Sequence, residues 1–175
     1  MIHPKSIPFI LICFAIFLAG CKHKKATVEE HSIATDTIVV HNFNSLEPLL
    51  HTDSETTHIV NFWAMWCAPC VQELPTFVAY AKNNPNTEVL LVSLDFPKDI
   101  ETKLKPFLKE KGITPKVVLL DDADANSWID KIDPNWSGAL PFTIIFNNKS
   151  RSYHERTFES LKDLENEVKK TINNQ

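Results

Sequence analysis

Asn61-Phe62-Trp63-Ala64-Met65-Trp66-Cys67-Ala68-Pro69-Cys70-Val71-Gln72-Glu73-Leu74-Pro75 places two thiols where an apolar run gives way to a helical pattern. Ile59, Val60, Phe62, Trp63 and Ala64 make a run of strand length, and Val71, Leu74, Phe77, Val78 and Ala81 recur at helical spacing. Cys67 and Cys70 therefore fall in the first turn of a helix. Unpaired N–H groups and the positive dipole end at that turn favour a thiolate, so Cys67 is expected to ionise below the ~8.5 of free cysteine. Three positions apart, the two side chains share a helix face, and Cys70 can reach Cys67 to form or open a disulfide. A pair spaced this way can also be half of a zinc site, but a four-thiolate site needs a second pair, and the sequence contains none.

Outward from this stretch, 175 residues with 43% hydrophobic content suit one domain with a sizeable core. A net charge of −4 leaves no footprint for nucleic acid. With only three glycines, tight turns must lean on Asn, Asp and Pro. Residues 1–20 read as a targeting segment: His3 and Lys5 open it, Phe9 to Ala19 is an unbroken apolar run, and Leu18-Ala19-Gly20-Cys21 closes it. The run falls short of the roughly 20 residues that span a bilayer. Leu-Ala-Gly-Cys resembles the bacterial lipobox, which implies cleavage before Cys21 and a lipid on its sulfur; the alternative is an ordinary secretory signal with a cysteine nearby. Of the four cysteines, Cys13 lies in the discarded segment and Cys21 would carry lipid, so no sulfur remains for a structural staple. An exported protein with one closely spaced pair left over uses that pair chemically.

Residues 21–36 read as a solvated tether, with Lys22, His23, Lys24 and Lys25 followed by Glu29 and Glu30. The basic residues either attract anionic headgroups, at roughly 1 kcal/mol each, or merely belong to a flexible linker. The folded domain is expected over 37–175. A first strand is expected at Thr37–Val40, a short helix capped by Asn44 or Ser45, a strand at Glu88–Leu94 and an amphipathic helix at Asp99–Gly112. A strand at Val117–Leu120 and a helix over Ala123–Ile132 follow. Next come a strand at Phe142–Phe146, a turn at Asn147–Ser150, a return strand at Arg151–Phe158 and a last helix with Leu161, Leu164, Val168 and Ile172 inward. In the helix after the thiols, Pro75 cannot bond to the carbonyl of Val71, so a kink is expected.

Phe62-Trp63-Ala64-x-Trp66-Cys67-x-Pro69-Cys70 resembles the thioredoxin superfamily, and Glu73-Leu74-Pro75 resembles its TlpA/ResA branch of membrane-tethered thiol-disulfide oxidoreductases. The Gly-Lys turn usual before the aromatic strand of that branch is missing; Ser54 to His58 stand there instead. The resemblance implies an α/β thioredoxin-like fold: a central mixed sheet flanked by helices on both faces. An inserted helix-strand-helix would separate the Cys-x-x-Cys unit from a strand that opens on a cis-proline. That insert also resembles peroxiredoxins, but these carry a Thr or Ser a few residues before their cysteine, where Ala64 and Met65 stand here, so a peroxidase is not expected.

By resemblance, Pro141 is the cis-proline facing the disulfide, and Leu140 offers backbone groups with which an extended substrate can pair as an added strand. Phe142 intervenes before Thr143, making the lip of that groove apolar. Glu73 matches the branch's buried acid, which can exchange a proton with the Cys70 thiol; its rival reading is a solvated helix charge. Asn61 stands where thioredoxin carries a buried Asp, and an amide does not titrate. Trp66 reads as a surface contact for substrate and Trp63 as core. No His lies between or beside the thiols, so neither copper nor zinc chemistry is indicated, and no metal or cofactor is expected. Ala68-Pro69 lacks the His with which strong oxidants of the DsbA kind lower their cysteine pKa to about 3.5, which favours a reducing pair.

These readings converge on a lipid-anchored, envelope-facing monomer. Cys67 attacks a substrate disulfide, Cys70 resolves the mixed disulfide and Glu73 assists. The expected partners are disulfide-bearing envelope proteins, such as apocytochrome c, and a membrane electron donor. A thiol oxidase or isomerase, or a binding lipoprotein that uses the fold without catalysis, are the alternatives.

Overall fold

The computed structural model describes residues 37–173. The expected targeting segment, the expected lipid site at Cys21 and the expected tether fall outside the described residues.

Six strands form one sheet in the order β1-β4-β3-β2-β5-β6: β1 (Val39–His41), β2 (His58–Trp63), β3 (Glu88–Ser93), β4 (Lys116–Leu120), β5 (Phe142–Phe146) and β6 (Arg151–His154). The first four in that order run parallel, and β5 and β6 are each antiparallel to the strand before them. The mixed sheet and its helical layers are those of the thioredoxin fold.

Period-2 alternation sorts β2 between two cores. Ile59 and Trp63 pack with α2 (Ala68–Asn83), α3 (Lys105–Glu110) and α5 (Leu161–Asn173) on one face. Val60 and Phe62 pack on the other face, against α1 (Phe43–Leu46), the following 3-10 turn Glu47–Leu50 and α4 (Ile129–Ile132). Asn61, between Ile59 and Trp63, consequently faces α2. The antiparallel register sets it opposite Thr143, so the two side chains meet on that face. Ladder pairing runs as far as Phe62 opposite Phe142, which brings the start of β5, and with it Pro141, to the end of β2 from which the cysteine loop departs.

The insert differs in detail from the expected helix, strand and helix. Between β3 and α3 the chain makes a 3-10 turn, Pro97–Asp99, and a π-helical turn, Ile100–Leu104. Pro106 has no N–H for the carbonyl of Thr102, and the wider turn accommodates that loss. The helix expected over 123–132 breaks into a 3-10 turn at Ala125–Ser127 and the single turn of α4. Trp128 interrupts it: its ring is buried and its indole N–H donates to the Asp122 carbonyl at 3.3 Å, with φ −128° in the backbone. Asp133 is extended (φ −153°) because it precedes Pro134.

Other boundaries also move, β3 ending at Ser93 rather than Leu94 and β4 starting at Lys116 rather than Val117. The cap of α1 is Asn42, not Asn44 or Ser45, its Oδ1 accepting from the Ser45 N–H at 3.0 Å, because the chain must turn early enough to bury Phe43. The first strand shifts from 37–40 to 39–41. The last strand stops at His154 rather than Phe158, since the Phe158 N–H is spent on a side chain instead of the ladder. Helix α2 runs unbroken through Pro75.

Candidate active site

Cys67 is the N-cap of α2, in extended conformation, with Pro69 in the first turn, where a missing N–H costs nothing. Cys67 and Cys70 form a disulfide with Cα atoms 5.3 Å apart. Their exposures differ: Cys67 keeps 7% of its surface in solvent and Cys70 none. The Cys70 N–H points at Cys67 Sγ at 3.3 Å, a donor that a thiolate accepts more strongly than a disulfide sulfur does. Trp66, immediately before, is 64% exposed, whereas Trp63 is fully buried against Phe107.

The loop that carries the pair is tied from beneath. Both carboxylate oxygens of Asp95, just past β3, accept from the Met65 N–H, at 3.1 and 3.2 Å. The Ser93 hydroxyl donates to Asp95 at 2.8 Å. Burial pushes the Asp95 carboxyl up from its ordinary value, and these two donors pull it back down. Asp95 received no role in the sequence reading, yet an acid ending a buried strand, before Phe96-Pro97, was its signal.

Glu73 lies on the buried stripe of α2, one turn beyond Cys70, and is 1% exposed. Its Oε2 accepts from the Phe158 backbone N–H at 2.7 Å and its Oε1 from Asn61 Nδ2 at 2.8 Å. Burial pushes its pKa up to about 7, outweighing those two donors and the more distant Arg156 guanidinium. Asn61 Nδ2 also donates to Thr143 Oγ1 at 3.0 Å, so helix, two strands and the segment entering α5 meet at one carboxyl.

Across the sheet end, the Leu140–Pro141 peptide is cis. Leu140 packs against the cluster that contains Cys67, Cys70 and Trp63. The approach to it is braced at two points. Trp136 stacks on Phe142 with centroids 4.0 Å apart while its indole N–H donates to the Ala139 carbonyl at 2.8 Å. Glu155, past β6, accepts from the Ser137 N–H at 3.0 Å and from its hydroxyl. Gly138, at φ +87°, supplies the left-handed turn between these braces. Glu155 too escaped sequence reading, because nothing in its neighbourhood marks an exposed acid as a loop anchor. Among the described residues, no group of three or more His, Cys, Asp or Glu side chains could hold a metal ion.

A thioredoxin sheet, a disulfide at the mouth of α2 and a cis-proline at the adjoining strand define the class of thioredoxin-fold thiol-disulfide oxidoreductases. The chain belongs to the AhpC/TSA family, whose model matches residues 50–151. It is 32% identical over 63 residues to the sporulation thiol-disulfide oxidoreductase A of Bacillus subtilis, a match covering 35% of this chain and 38% of that protein's length. A thioredoxin-related protein of Neisseria meningitidis serogroup B superposes with a TM-score of 0.56 at 25% identity, over 69% of this chain and 87% of that one. A secreted thiol-disulfide isomerase of Corynebacterium glutamicum shares the fold at 20% identity, with a TM-score of 0.55 over 69% of this chain and 72% of its own. The TlpA/ResA resemblance is consistent with this neighbourhood.

Proposed function

We propose that the chain is a lipid-anchored thiol-disulfide reductase of the bacterial cell envelope, acting on disulfides of exported proteins, apocytochrome c among the candidates. The observation that carries the reading is the asymmetry of the pair: Cys67, the helix cap, keeps 7% of its surface in solvent, and Cys70 keeps none.

In the reduced protein, the Cys67 thiolate attacks one sulfur of the substrate disulfide, forming a mixed disulfide and releasing the other substrate sulfur as a thiolate. Cys70 then loses its proton, attacks Cys67 Sγ, and releases the second substrate sulfur. Two electrons pass to the substrate, and the Cys67–Cys70 bond is what remains. Glu73, one helical turn from Cys70 and with a pKa near neutrality, is suited to take the Cys70 proton and return it to the leaving thiolate. The Leu140 backbone and the exposed Trp66 give an extended substrate its edge and its apolar contact. Re-reduction of the pair requires an external dithiol, supplied in this proposal from the membrane.

The envelope placement is supported by the apolar run Phe9 to Ala19 and by Leu18-Ala19-Gly20-Cys21. The direction of reaction is supported by Ala68-Pro69, which puts no cation between the sulfurs. Dithiothreitol-driven reduction of insulin tests the proposal, with wild type faster than Cys67→Ser. Equal rates remove the enzyme reading. A potential at or above about −180 mV against glutathione, where isomerases and oxidants lie, removes the reductase direction.

A further inference from the structure

Glu73 has an N–H against each of its oxygens: Phe158 N–H on Oε2 and Asn61 Nδ2 on Oε1. A proton arriving on either oxygen finds no acceptor in these two partners. Among the described residues the same amide's Oδ1 finds no partner, although Asn61 is fully buried. Such an orphan is costly, and in a native site it calls for a reason. The two ends of a carboxamide occupy nearly the same space, so a half-turn of the Asn61 amide exchanges an acceptor for a donor without moving the core. After that half-turn, Oδ1 meets both an acid proton on Glu73 Oε1 and the hydroxyl of Thr143, which can donate as readily as it now accepts. Each orientation makes two hydrogen bonds within this cluster, the turned one leaving the two Nδ2 hydrogens, in place of Oδ1, without a partner among the described residues. The proton decides between them.

We propose that the Asn61 amide is a two-position switch thrown by the proton on Glu73, turning Nδ2 toward the carboxylate and Oδ1 toward the acid, with the Thr143 hydroxyl reversing role in step. Asn61 and Thr143 are then positioning residues that act through Glu73. A proton taken from Cys70 is held by an acceptor that was not there before the transfer, and is released when the amide turns back. The raised proton affinity of Glu73 places the change near neutral pH.

The charged groups facing this cluster are few. From the segment entering α5, Arg156 favours the carboxylate, but it is already paired with Asp163 at 2.8 Å, and Glu167 lies at 3.9 Å. From β6, His154 lies across the Phe158 ring, centroids 5.5 Å apart, with its own pKa lowered by burial. On α2 the two sulfurs are joined, and on β2 the only ionisable side chain, His58, sits at the far end of the strand. None of these takes the acid proton of Glu73 in place of Asn61.

The relevance to catalysis rests on the proposed function; the switch itself needs no turnover, so it is tested on the oxidised full-length chain. The Asn61 side-chain amide is followed by 1H–15N NMR and the Glu73 carboxyl by 13C NMR between pH 5 and 9. The expected result is two limiting positions for the Asn61 signals, the carboxylate-bonded one at high pH, with a midpoint shared with Glu73 and lost in Glu73→Gln. Asn61→Asp, which keeps the shape and removes the donor, is expected to split the Glu73 titration into two coupled steps. Asn61 signals that hold the carboxylate-bonded position while Glu73 titrates overturn the switch, as does a single unshifted Glu73 step in Asn61→Asp. Failure of insulin reduction alongside a moving amide would instead overturn the proposed function.

Discussion

Replacing Glu73 by Gln should make the oxidised protein more stable at alkaline pH, and the size of the gain follows from burial of the carboxyl. The side chain is 1% exposed and titrates at about 7 rather than the ordinary 4.5. Between those values the folded protein holds a proton that the unfolded chain has released. Unfolding free energy therefore falls as pH rises, by about 1.4 kcal/mol per unit. Across the whole interval the loss is on the order of 3 kcal/mol: the contribution is fully present below pH 4.5 and gone above pH 7. Gln removes the titration and can imitate the protonated acid, its Oε1 accepting from Phe158 and its Nε2 donating to a turned Asn61 Oδ1. Urea unfolding of the oxidised protein at pH 5, 6, 7 and 8 measures this. Wild type is expected to lose stability from pH 5 to pH 7 relative to Glu73→Gln and to level off by pH 8, with the variant the more stable of the two there. Parallel pH profiles for the two proteins would refute the assignment of Glu73 as the group whose burial sets the slope.

Asp95→Ala strips the Met65 N–H of its acceptor and is expected to cost about 1–3 kcal/mol and to slow insulin reduction, while Asp95→Asn recovers most of both; unchanged unfolding in Asp95→Ala contradicts the anchoring. Glu155→Ala frees the approach to Pro141, so KM for insulin should rise, by up to about tenfold, while the rate with a small aromatic disulfide stays put; a loss shared by both substrates argues against a role in seating protein segments. The reduced chain should consume hydrogen peroxide no faster than an unactivated thiol, since Ala64 and Met65 place no hydroxyl before Cys67; a fast, saturable peroxide reaction counts against that.

The redox unit was legible because three independent signals coincide in a short stretch: an apolar strand, a thiol pair at its end and a helical stripe after it. The buried position of Glu73 was implied by the resemblance of Glu73-Leu74-Pro75 to the TlpA/ResA branch, and the structure places the residue on the buried face of α2 with Cys70, Leu74 and Phe77. What escaped depends on contacts between distant parts of the chain. Phe158 ends β6 early because its N–H is needed 85 positions away by Glu73. Asp95 and Glu155 act by accepting from backbone N–H groups of other loops, and no local pattern announces that. The helix over 123–132 failed because Trp128 is held in the core in a conformation no helix uses, a tertiary demand that periodicity cannot express. Asn61 was read as a residue that cannot titrate; only its placement between Glu73 and Thr143 gives the amide something to do.

Exposure of one sulfur and sealing of the other is the claim on which the mechanism stands, and single-cysteine variants address it directly. Reduced Cys70→Ser and Cys67→Ser proteins are mixed with a peptide containing one disulfide, and the adducts are mapped by mass spectrometry. The expected result is a stable mixed disulfide on Cys67 in Cys70→Ser and none on Cys70 in Cys67→Ser. Equal labelling of both sulfurs, or capture by Cys70 alone, contradicts the mechanism.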